Sequence, residues 1–293
     1  MGTLEIRRVA VIGAGQMGRG IAQVAATTGL TVILSDVTEA AAEGGKKTIA
    51  SQLGRLVEKG KLTEDDRNSV LDRIVCAGQG EKLGECQLAV EAVTEHFETK
   101  LAIFRAVDVA LPKDAILATN TSSISITKLA AATSRPARVI GMHFMNPVPL
   151  MKLVEIVKGV QTSEETYAET HALAVKMGKT VVTSNDAPGF MVNRILIPML
   201  CEAAFALQEG VGSAEDIDTG AKLGLNHPMG PLELADLIGL DTVLSIANVL
   251  HDNFGDSKYR APNVLKNLVA AGWLGKKTGR GFYRYDAKGQ RIL

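Results

Sequence analysis

Near the amino terminus lies a glycine-rich turn with the spacing of a phosphate-binding loop, formed by Gly13, Ala14, Gly15, Gln16, Met17 and Gly18. The turn follows the apolar run RVAVIG and opens a segment rich in Ala, Ile and Val, a pattern typical of a strand, a turn and a helix. In such a turn Gly13 permits the tight bend, Gly15 lets a pyrophosphate approach the backbone, and Gly18 lets the helix pack against the sheet. The helix terminus adds N–H donors and about half a positive charge. The pattern therefore predicts a dinucleotide-binding site.

The next apolar run, LTVILSD, ends at Asp36, 18 residues after Gly18. A carboxylate at this position accepts hydrogen bonds from the ribose hydroxyls of NAD and repels the 2′-phosphate of NADP. A glycine-rich turn by itself would also suit a flavin, or no ligand at all. Because the strand, the helix and Asp36 are all in register, we expect NAD as the cofactor.

A candidate base, His143, lies in the segment GMHFMNPVP at the end of a predicted strand. Ligands of open α/β sheets bind outside the carboxyl ends of the strands, so this imidazole stands where chemistry is expected. Histidine also exchanges protons near neutral pH. Glu155 lies within the next apolar run, LVEIV, where a lone carboxylate is costly unless it is paired. We expect it to pair with His143, to fix the ring tautomer and to stabilise the imidazolium.

Two structural interpretations compete with this pairing. A histidine at a strand end is often only a hydrogen-bonding residue, and Glu155 would need no partner at a solvent-facing sheet edge. Residue types and spacing alone therefore predict an NAD-binding oxidoreductase with His143 as a candidate base, and they leave the substrate open.

The order of apolar runs and helical segments predicts two domains. Up to residue 185, short apolar runs alternate with helical segments, which is typical of a doubly wound, mostly parallel Rossmann-like α/β sheet covered on both faces. The Pro/Gly break in NDAPGF is followed by helical pattern only. We therefore expect residues 1–185 to form a nucleotide-binding domain and residues 186–293 to form an all-helical domain that contributes to the substrate cleft and to dimerisation.

Several features locate helices in the second domain. Met191 to Leu207 predicts a long helix that Pro198 should bend. Ser213 and Pro231 are suited to begin two further helices. The apolar stretch LIGLDTVLSIANVL, residues 237–250, suits either the core of this domain or a dimer interface.

Composition excludes several classes of protein. Lys plus Arg equals Asp plus Glu at 32 each, so no basic field favours nucleic acid or an anionic membrane. No apolar run approaches the ~20 residues that cross a bilayer. The three cysteines, Cys76, Cys86 and Cys201, have no metal-type spacing, and their odd, sparse count favours a reducing compartment. With little sequence ahead of the first predicted strand for a targeting peptide, we expect a cytoplasmic protein without a metal site.

At several motifs the chain resembles the L-3-hydroxyacyl-CoA dehydrogenase family, and most closely the bacterial members that act on 3-hydroxybutyryl-CoA. The motifs are GAGQMGRGIAQ (13–23), EAVTEHFETK (91–100), NTSSISIT (120–127), HFMNPVPLMKLVEIV (143–157), DAPGFMVNRIL (186–196), GLNHPMGPLELAD (224–236) and GKKTGRGFY (275–283). They span nearly the whole chain in the family's order, and no position that we assign to catalysis departs from the pattern.

The resemblance implies a role for each matching residue. It makes His143 the general base and Glu155 its partner, with Ser122 and Asn193 around the reacting hydroxyl and the thioester carbonyl. Beyond the glycine-rich turn and Asp36, it places a further set in contact with the cofactor, namely Glu95, Lys100, Ser122, Asn146 and Lys277. Lys59 is implied to contact the phosphates of CoA, and Ser122 the acyl-CoA as well.

Each of these residues also has a structural interpretation. Ser122 and Ser123 would cap the helix that follows them, and Asn146 would shape the turn before Pro147. Asn193 would be a helix-surface residue. Ordinary solvated or helix charges would account for Lys59, Glu95 and Lys100. Lys276 or Arg280 could serve in place of Lys277.

The resemblance implies a homodimer that interconverts a 3-hydroxyacyl-CoA and the 3-oxoacyl-CoA with NAD. Two alternatives stay open. One is a dehydrogenase of a hydroxy acid or sugar acid without CoA, and the other is an NAD-binding structural protein without catalysis.

Overall fold

The chain consists of two compact units in the computed structural model, which describes residues 5–292; the first unit ends at Ala187 and the second begins at Pro188. In the described part of the first unit, eight strands form one sheet: β1 Arg8–Ile12, β2 Thr31–Ser35, β3 Ile74–Ala77, β4 Leu88–Glu91, β5 Ile116–Thr119, β6 Val139–Phe144, β7 Leu153–Lys158 and β8 Thr180–Asn185. Their order across the sheet is β3-β2-β1-β4-β5-β6-β7-β8. The order changes direction between β1 and β4, the switch point at which such sheets bind ligands. The predicted Rossmann-like fold is confirmed.

The direction of β7 differs from the simplest expectation of a parallel sheet. β1 to β6 run parallel, but β7 pairs antiparallel with β6, and β8 runs parallel to β7. A parallel neighbour needs a crossover of about a dozen or more residues. Residues 145–152, which join β6 to β7, are too few for that crossover, so the chain turns back on itself.

Within residues 5–187 six α-helices accompany the sheet: α1 Gln16–Thr27, α2 Glu39–Glu58, α3 Glu64–Asp72, α4 Phe97–Ala110, α5 Ile126–Ala130 and α6 Glu164–Lys176. α1 buries small residues, Gly18, Ala22, Ala25 and Ala26, in the core that also contains Val9 and Val11 of β1. Small side chains let the helix axis approach the strands closely, which fixes its first turn against the end of β1. The sequence did not predict α3 or β3.

In its described part, residues 188–292, the second unit has helices and one short hairpin as its regular structure. Its helices are α7 Val192–Gln208, α8 Ala214–Gly224, α9 Pro231–Ile238, α10 Leu240–Phe254 and α11 Asn263–Ala270. β9 Arg284–Tyr285 and β10 Arg291–Ile292 form an antiparallel pair, so the expectation of an all-helical domain was wrong in this detail. Strands of two residues are too short to produce an alternating pattern in the sequence. Buried Asp236 of α9 secures the segment that leads into β9 by accepting hydrogen bonds from Phe282 N and Tyr285 Oη, at 2.9 and 2.8 Å.

Two predicted helix starts are confirmed in the second unit. Ser213 precedes α8, and its hydroxyl accepts a hydrogen bond from Asp216 N at 3.1 Å. Pro231 is the first residue of α9. Pro198 lies inside α7, as the sequence predicted.

The apolar stretch 237–250 belongs mainly to the core of the second unit. Gly239, with φ +103°, separates α9 from α10. Leu240, Val243 and Leu250 of α10 are buried in one cluster with residues of α7 and α9. Leu237 before the break is exposed.

Within residues 5–292, no single helix is long and apolar enough to span a bilayer. The helices α9 and α10 would have the required length and apolar content only if they were taken together, and they meet at a bend of 99°. The same residues contain no group of three or more His, Cys, Asp or Glu side chains placed to hold a metal ion.

Candidate active site

His143 and Glu155 face each other across the antiparallel pair β6·β7, where the strand register makes them direct partners. His143 Nδ1 lies 2.7 Å from Glu155 Oε2, and Glu155 is fully buried. Because β7 lies between β6 and β8, Glu155 is not at a solvent-facing sheet edge, so that interpretation was wrong. An N–H at Nδ1 donates to the carboxylate, which fixes the ring orientation and directs Nε2 away from Glu155.

The end of β6 is tied to the loop that follows β5. Phe144 N, next to His143, donates to Asn120 Oδ1 at 2.9 Å. Asn120 N in turn donates to the carbonyl of Glu91 at the end of β4. These bonds hold the carboxyl ends of three neighbouring strands together, so the segment 120–125 starts from a fixed position beside His143.

Ser122 is held by Glu95. Glu95 Oε1 accepts hydrogen bonds from Ser122 N at 2.9 Å, from Ser123 N at 3.0 Å and from the hydroxyl of Thr121 at 2.5 Å. The interpretation of Ser122 and Ser123 as helix caps was wrong, because Ser125 caps α5 and accepts from Lys128 N.

Lys100 is an internal charge of the first unit and not an ordinary helix charge. Its side chain and that of Glu91 have no exposed surface. Lys100 Nζ donates to both oxygens of Glu91, at 2.7 and 3.0 Å, and lies 3.3 Å from Glu95 Oε2. Burial alone would raise the pKa of Glu95, but the charge of Lys100 and the hydroxyl and amide donors together lower it. Glu95 is therefore an ionised carboxylate beside the segment that contains Ser122.

In the glycine-rich turn, one glycine has free space where a side chain would lie, and two glycines do not. A Cβ on Gly13, where φ is +102°, would lie 2.7 Å from Ala92 O, and a Cβ on Gly18 would lie 1.7 Å from Gly13 O. A Cβ on Gly15 would meet no atom within 4 Å. Gly15 is the N-cap of α1 and supplies no side chain to the amides of the first turn. These amides therefore border an open space that suits a pyrophosphate.

Asp36 and Asn146 both contact this turn. Asp36 Oδ2 accepts from Ala14 N at 2.6 Å, and Oδ1 accepts from Val37 N at 2.7 Å. Asn146 Oδ1 accepts from Gln16 Nε2 at 3.1 Å. A carboxylate at the end of β2 beside the open Gly15 is the arrangement that receives the adenosine ribose of NAD.

Of three other predicted residues, two belong to the second unit and one ends α2 in the first. Asn193 is buried in the first turn of α7, in the second unit, so it is not a helix-surface residue. Lys277, also in the second unit, binds Asp241 through both carboxylate oxygens, at 2.6 and 2.7 Å. Lys59 is the exposed C-cap of α2. Their roles toward substrate and cofactor stay predictions.

Two residues that support the site were not predicted. Glu91 holds Lys100, and Lys179 holds the loop 145–152, because its Nζ donates to Val148 O at 2.5 Å and to Met151 O at 2.8 Å. Burial lowers the pKa of Lys179. Glu91 is a carboxylate within an apolar strand, so the sequence alone could have predicted that it needs a buried partner. Nothing in the sequence indicates that Lys179 binds these backbone carbonyls.

Comparison with known proteins decides the family. The model of the 3-hydroxyacyl-CoA dehydrogenase NAD-binding domain matches residues 8–187, and that of the C-terminal domain matches residues 189–285. The chain belongs to the 3-hydroxyacyl-CoA dehydrogenase family. This dehydrogenase therefore uses NAD, as the turn and Asp36 predicted.

Its relatives match over almost their whole length. It is 54% identical to the probable 3-hydroxybutyryl-CoA dehydrogenase of Bacillus subtilis, over 97% of this chain and 99% of that protein. It is 53% identical to the 3-hydroxybutyryl-CoA dehydrogenase of Bradyrhizobium diazoefficiens, over 96% of each. The crystal structure of (S)-3-hydroxybutyryl-CoA dehydrogenase from Ralstonia eutropha is similar at a TM-score of 0.93 and 51% identity, and the match covers 96% of this dehydrogenase and all of that chain.

Proposed function

We propose that this dehydrogenase interconverts a short 3-hydroxyacyl-CoA, of the size of 3-hydroxybutyryl-CoA, and its 3-oxoacyl-CoA, with His143 as the general base. The observation that carries the proposal is the buried contact of 2.7 Å between His143 and Glu155 at the carboxyl ends of the sheet. The names of the relatives support the choice of substrate.

In the proposed reaction His143 removes the proton of the C3 hydroxyl. Because Glu155 engages Nδ1, the proton is received at Nε2. NAD, when bound, supplies the chemistry of a hydride acceptor for C3. In the reverse direction the imidazolium returns the proton to the oxygen of the ketone. Base assistance of this kind contributes about 10²–10⁴-fold to the rate.

Glu155 stabilises the charge that grows on the imidazole. The side chain is fully buried, so water screens the attraction weakly and the carboxylate acts at short range. The carboxylate also selects the tautomer that carries hydrogen at Nδ1. We assign Glu155 this electrostatic and orienting role, with no proton transfer to the carboxylate.

Other residues of the chain bind and orient. We propose that Ser122 and Asn193 hold the C3 oxygen and the thioester carbonyl, and that Lys59 contacts the phosphates of CoA. For NAD, residues 13–18 would receive the pyrophosphate and Asp36 the ribose. Four further side chains are proposed to border the cofactor: Glu95, Lys100, Asn146 and Lys277.

A steady-state assay tests the proposal. Purified protein should oxidise NADH with acetoacetyl-CoA, and NAD should be reduced with 3-hydroxybutyryl-CoA. Acetoacetate and 3-hydroxybutyrate without CoA are the controls. Equal turnover of the CoA-free acids would support the alternative of a hydroxy-acid dehydrogenase. Retention of NADH binding without turnover of either set would support a structural protein.

We also propose a homodimer in a reducing compartment such as the cytoplasm. Exposed apolar side chains on the second unit support the dimer, namely Ile195, Val211, Leu223 and Leu225. All three cysteines are buried, unpaired thiols, which supports the compartment. Light scattering after gel filtration should give twice the chain mass of 31.0 kDa. A mass of one chain at micromolar concentration would contradict the dimer.

A further inference from the structure

The loop 145–152 between β6 and β7 touches α1, the helix that follows the glycine-rich turn, at two points. Asn146 Oδ1 accepts from Gln16 Nε2 at 3.1 Å, in the first residue of the helix. One turn further along α1 stands Gly20, where a Cβ would lie 2.8 Å from the Cβ of Val148. A glycine at this position lets the loop approach the helix backbone closely. The loop that follows the strand of the base therefore lies directly on α1.

Lys179 holds the same loop from another element. Its Nζ donates to Val148 O at 2.5 Å and to Met151 O at 2.8 Å, so one ammonium joins two carbonyls of the loop. Lys179 directly precedes β8, and β7 and β8 run in the direction opposite to β1 to β6. The start of β8 therefore lies at the edge of the sheet where β1 to β6 end, which is the edge at which such sheets bind ligands.

Val148 is the residue where these two contacts meet. Its side chain is buried in the core that contains α1, and its carbonyl accepts from Lys179, whereas the other loop residues are exposed or half-buried. Within the loop, Leu150 N and Met151 N both donate to Pro147 O at 3.0 Å. The loop is thus a short turn that is fastened at Val148 on one side by α1 and on the other side by the ammonium.

The surroundings of Lys179 favour a geometric role over a purely stabilising one. Both hydrogen-bond partners of its ammonium are neutral carbonyls, and burial lowers the pKa of this group. A charge that is buried against neutral partners costs free energy of folding, and an apolar side chain of similar length would avoid that cost. An ammonium has three donors and forms stronger hydrogen bonds than a neutral group, so it can hold both carbonyls at once.

We propose that Lys179 is a positioning residue, which holds Val148 against Gly20 and so fixes the base at the end of β6 relative to the cofactor at α1. The proposal rests on the function proposed above, because His143 is taken as the base. In this role Lys179 acts through the loop and not by contact with substrate or cofactor. A misplacement of reacting groups by about 1 Å can lower the rate about 10²-fold. A loosened loop should therefore slow hydride transfer more than it weakens binding.

The first test compares two lysines that both donate to backbone carbonyls. We expect Lys179→Met to lower kcat with acetoacetyl-CoA about tenfold and to change KM less than about threefold. The control is Lys46→Met, because Lys46 Nζ donates to Ile74 O at 2.7 Å, at the amino end of β3 and hence at the opposite edge of the sheet. Lys46→Met should keep the wild-type kcat. Wild-type kcat in Lys179→Met, or an equal loss in both variants, would overturn the proposal.

An isotope effect identifies the step that Lys179→Met slows. The reaction of acetoacetyl-CoA is measured with NADH that carries deuterium at the transferred position. If the loop sets the geometry of hydride transfer, the isotope effect on kcat should be at least as large in Lys179→Met as in the wild type. A smaller isotope effect together with a lower kcat would mean that another step has been slowed, and the proposal would fail.

The second test acts on the loop from the side of α1, and it does not depend on the folding of Lys179→Met. Gly20→Ala should lower kcat because its Cβ would press on Val148, although alanine is the better helix former. Gly54→Ala in α2, where a Cβ meets no atom within 4 Å, is the control and should be neutral. The double variant Gly20→Ala/Lys179→Met should lose less than the product of the two separate losses. Fully multiplicative losses, or wild-type kcat in Gly20→Ala, would contradict a shared route through the loop.

A third readout does not depend on the substrate. Hydrogen exchange of the amides of Leu150 and Met151 should accelerate in Lys179→Met and stay at the wild-type rate in Lys46→Met. If the wild-type protein lacked activity on acyl-CoA, the proposed function would fail, yet these rates would still decide whether Lys179 holds the loop. Unchanged exchange of both amides in Lys179→Met would overturn the positioning role.

Discussion

His143 and Glu155 are direct partners in the register of two antiparallel strands, and their side chains meet at 2.7 Å. They are 12 residues apart in the chain, so a short hairpin suffices to bring base and carboxylate together. The backbone of both strands is paired on either side, since β5 borders β6 and β8 borders β7. The geometry of the proposed acid–base pair is therefore set by the sheet and not by a mobile loop.

Replacing the base should remove turnover and leave the cofactor site intact. We expect His143→Gln to fold, to bind NADH with wild-type Kd, and to lose about 10²–10⁴-fold in kcat, because no group remains to exchange the C3 proton. NADH fluorescence titration and steady-state kinetics measure the two effects. His251→Gln, an exposed histidine of α10, is the control and should be neutral. Near wild-type turnover of His143→Gln would remove this residue from the mechanism.

Replacing the carboxylate should weaken the base without disturbing the nucleotide. In Glu155→Gln the amide stabilises an imidazolium poorly and no longer enforces the tautomer with hydrogen at Nδ1, so kcat should fall roughly tenfold or more. The Kd for NADH should change little. Glu165→Gln, at an exposed position of α6, is the matched control. An unchanged kcat in Glu155→Gln would contradict the proposed role of the pair.

The open space at Gly15 predicts a selective loss of cofactor binding. Gly15 has φ −67°, which other residues adopt without strain, and a Cβ there meets no protein atom. We expect Gly15→Val to keep the wild-type Tm within a few degrees and to raise the Kd for NADH at least about tenfold, because the side chain fills the space for the pyrophosphate. Gly220→Ala in α8, where a Cβ also meets nothing, should leave the Kd unchanged. Equal NADH affinity in both variants would place the cofactor elsewhere.

Asp36 should control the choice between the two nicotinamide cofactors. Asp36→Asn keeps an oxygen that can accept from Ala14 N but removes the charge that repels a 2′-phosphate. We expect the ratio of kcat/KM for NADPH to that for NADH to rise about tenfold over the wild-type ratio. The measurement uses acetoacetyl-CoA with each reduced cofactor. A ratio that does not move would mean that Asp36 does not face the ribose.

The buried Asp236 should make the stability of the second unit depend on pH. Burial raises the pKa of Asp236 above its usual value of 3.8, although amide and hydroxyl donors partly oppose the shift. The folded state then keeps its proton to a higher pH than the unfolded state, so this contribution to stability is lost as the pH rises above about 4. The Tm of the wild type should therefore fall relative to that of Asp236→Asn between pH 4 and 7.

A second variant gives the opposite sign for comparison. Hydrogen bonds from Lys258 lower the pKa of the exposed Asp256 below its usual value of 3.8, so this contribution to stability appears as the pH rises towards that value. The wild type should therefore gain Tm relative to Asp256→Asn below about pH 5 and stay level with it from there to pH 7. Parallel Tm curves for wild type and Asp236→Asn would contradict the raised pKa.

Most of the sheet was predictable because its strands are buried on both faces and read as apolar runs. The antiparallel direction of β7 could also have been predicted, since residues 145–152 are too few for the crossover that a parallel strand needs. The sequence did not predict β3, because Val75 is exposed and the strand is only four residues long. It did not predict the hairpin β9·β10 either, because strands of two residues are too short to show a periodicity.

In the candidate site, Glu155 was predictable as a residue that needs a partner, because it is a carboxylate inside an apolar strand. Its partner His143 was predictable because it lies near the end of the preceding strand. Glu91 lies in QLAVEAV and carries the same signal, yet its partner Lys100 comes from a helix, where a lysine is usually solvated. The contact therefore depends on how α4 packs against β4, which no local pattern encodes. Lys179 binds only backbone carbonyls, so its partners have no sequence signature.

The antiparallel pairing of β6 with β7 makes the proposed catalytic pair sensitive to strand register. Side chains alternate between the two faces of a strand, so a shift by one residue would turn Glu155 to the side opposite His143. Such a shift would separate base and carboxylate while most of the nucleotide-binding strands keep their places. In this scaffold, the register of one pair of strands decides whether a sheet that binds a nucleotide also holds a base with its carboxylate partner.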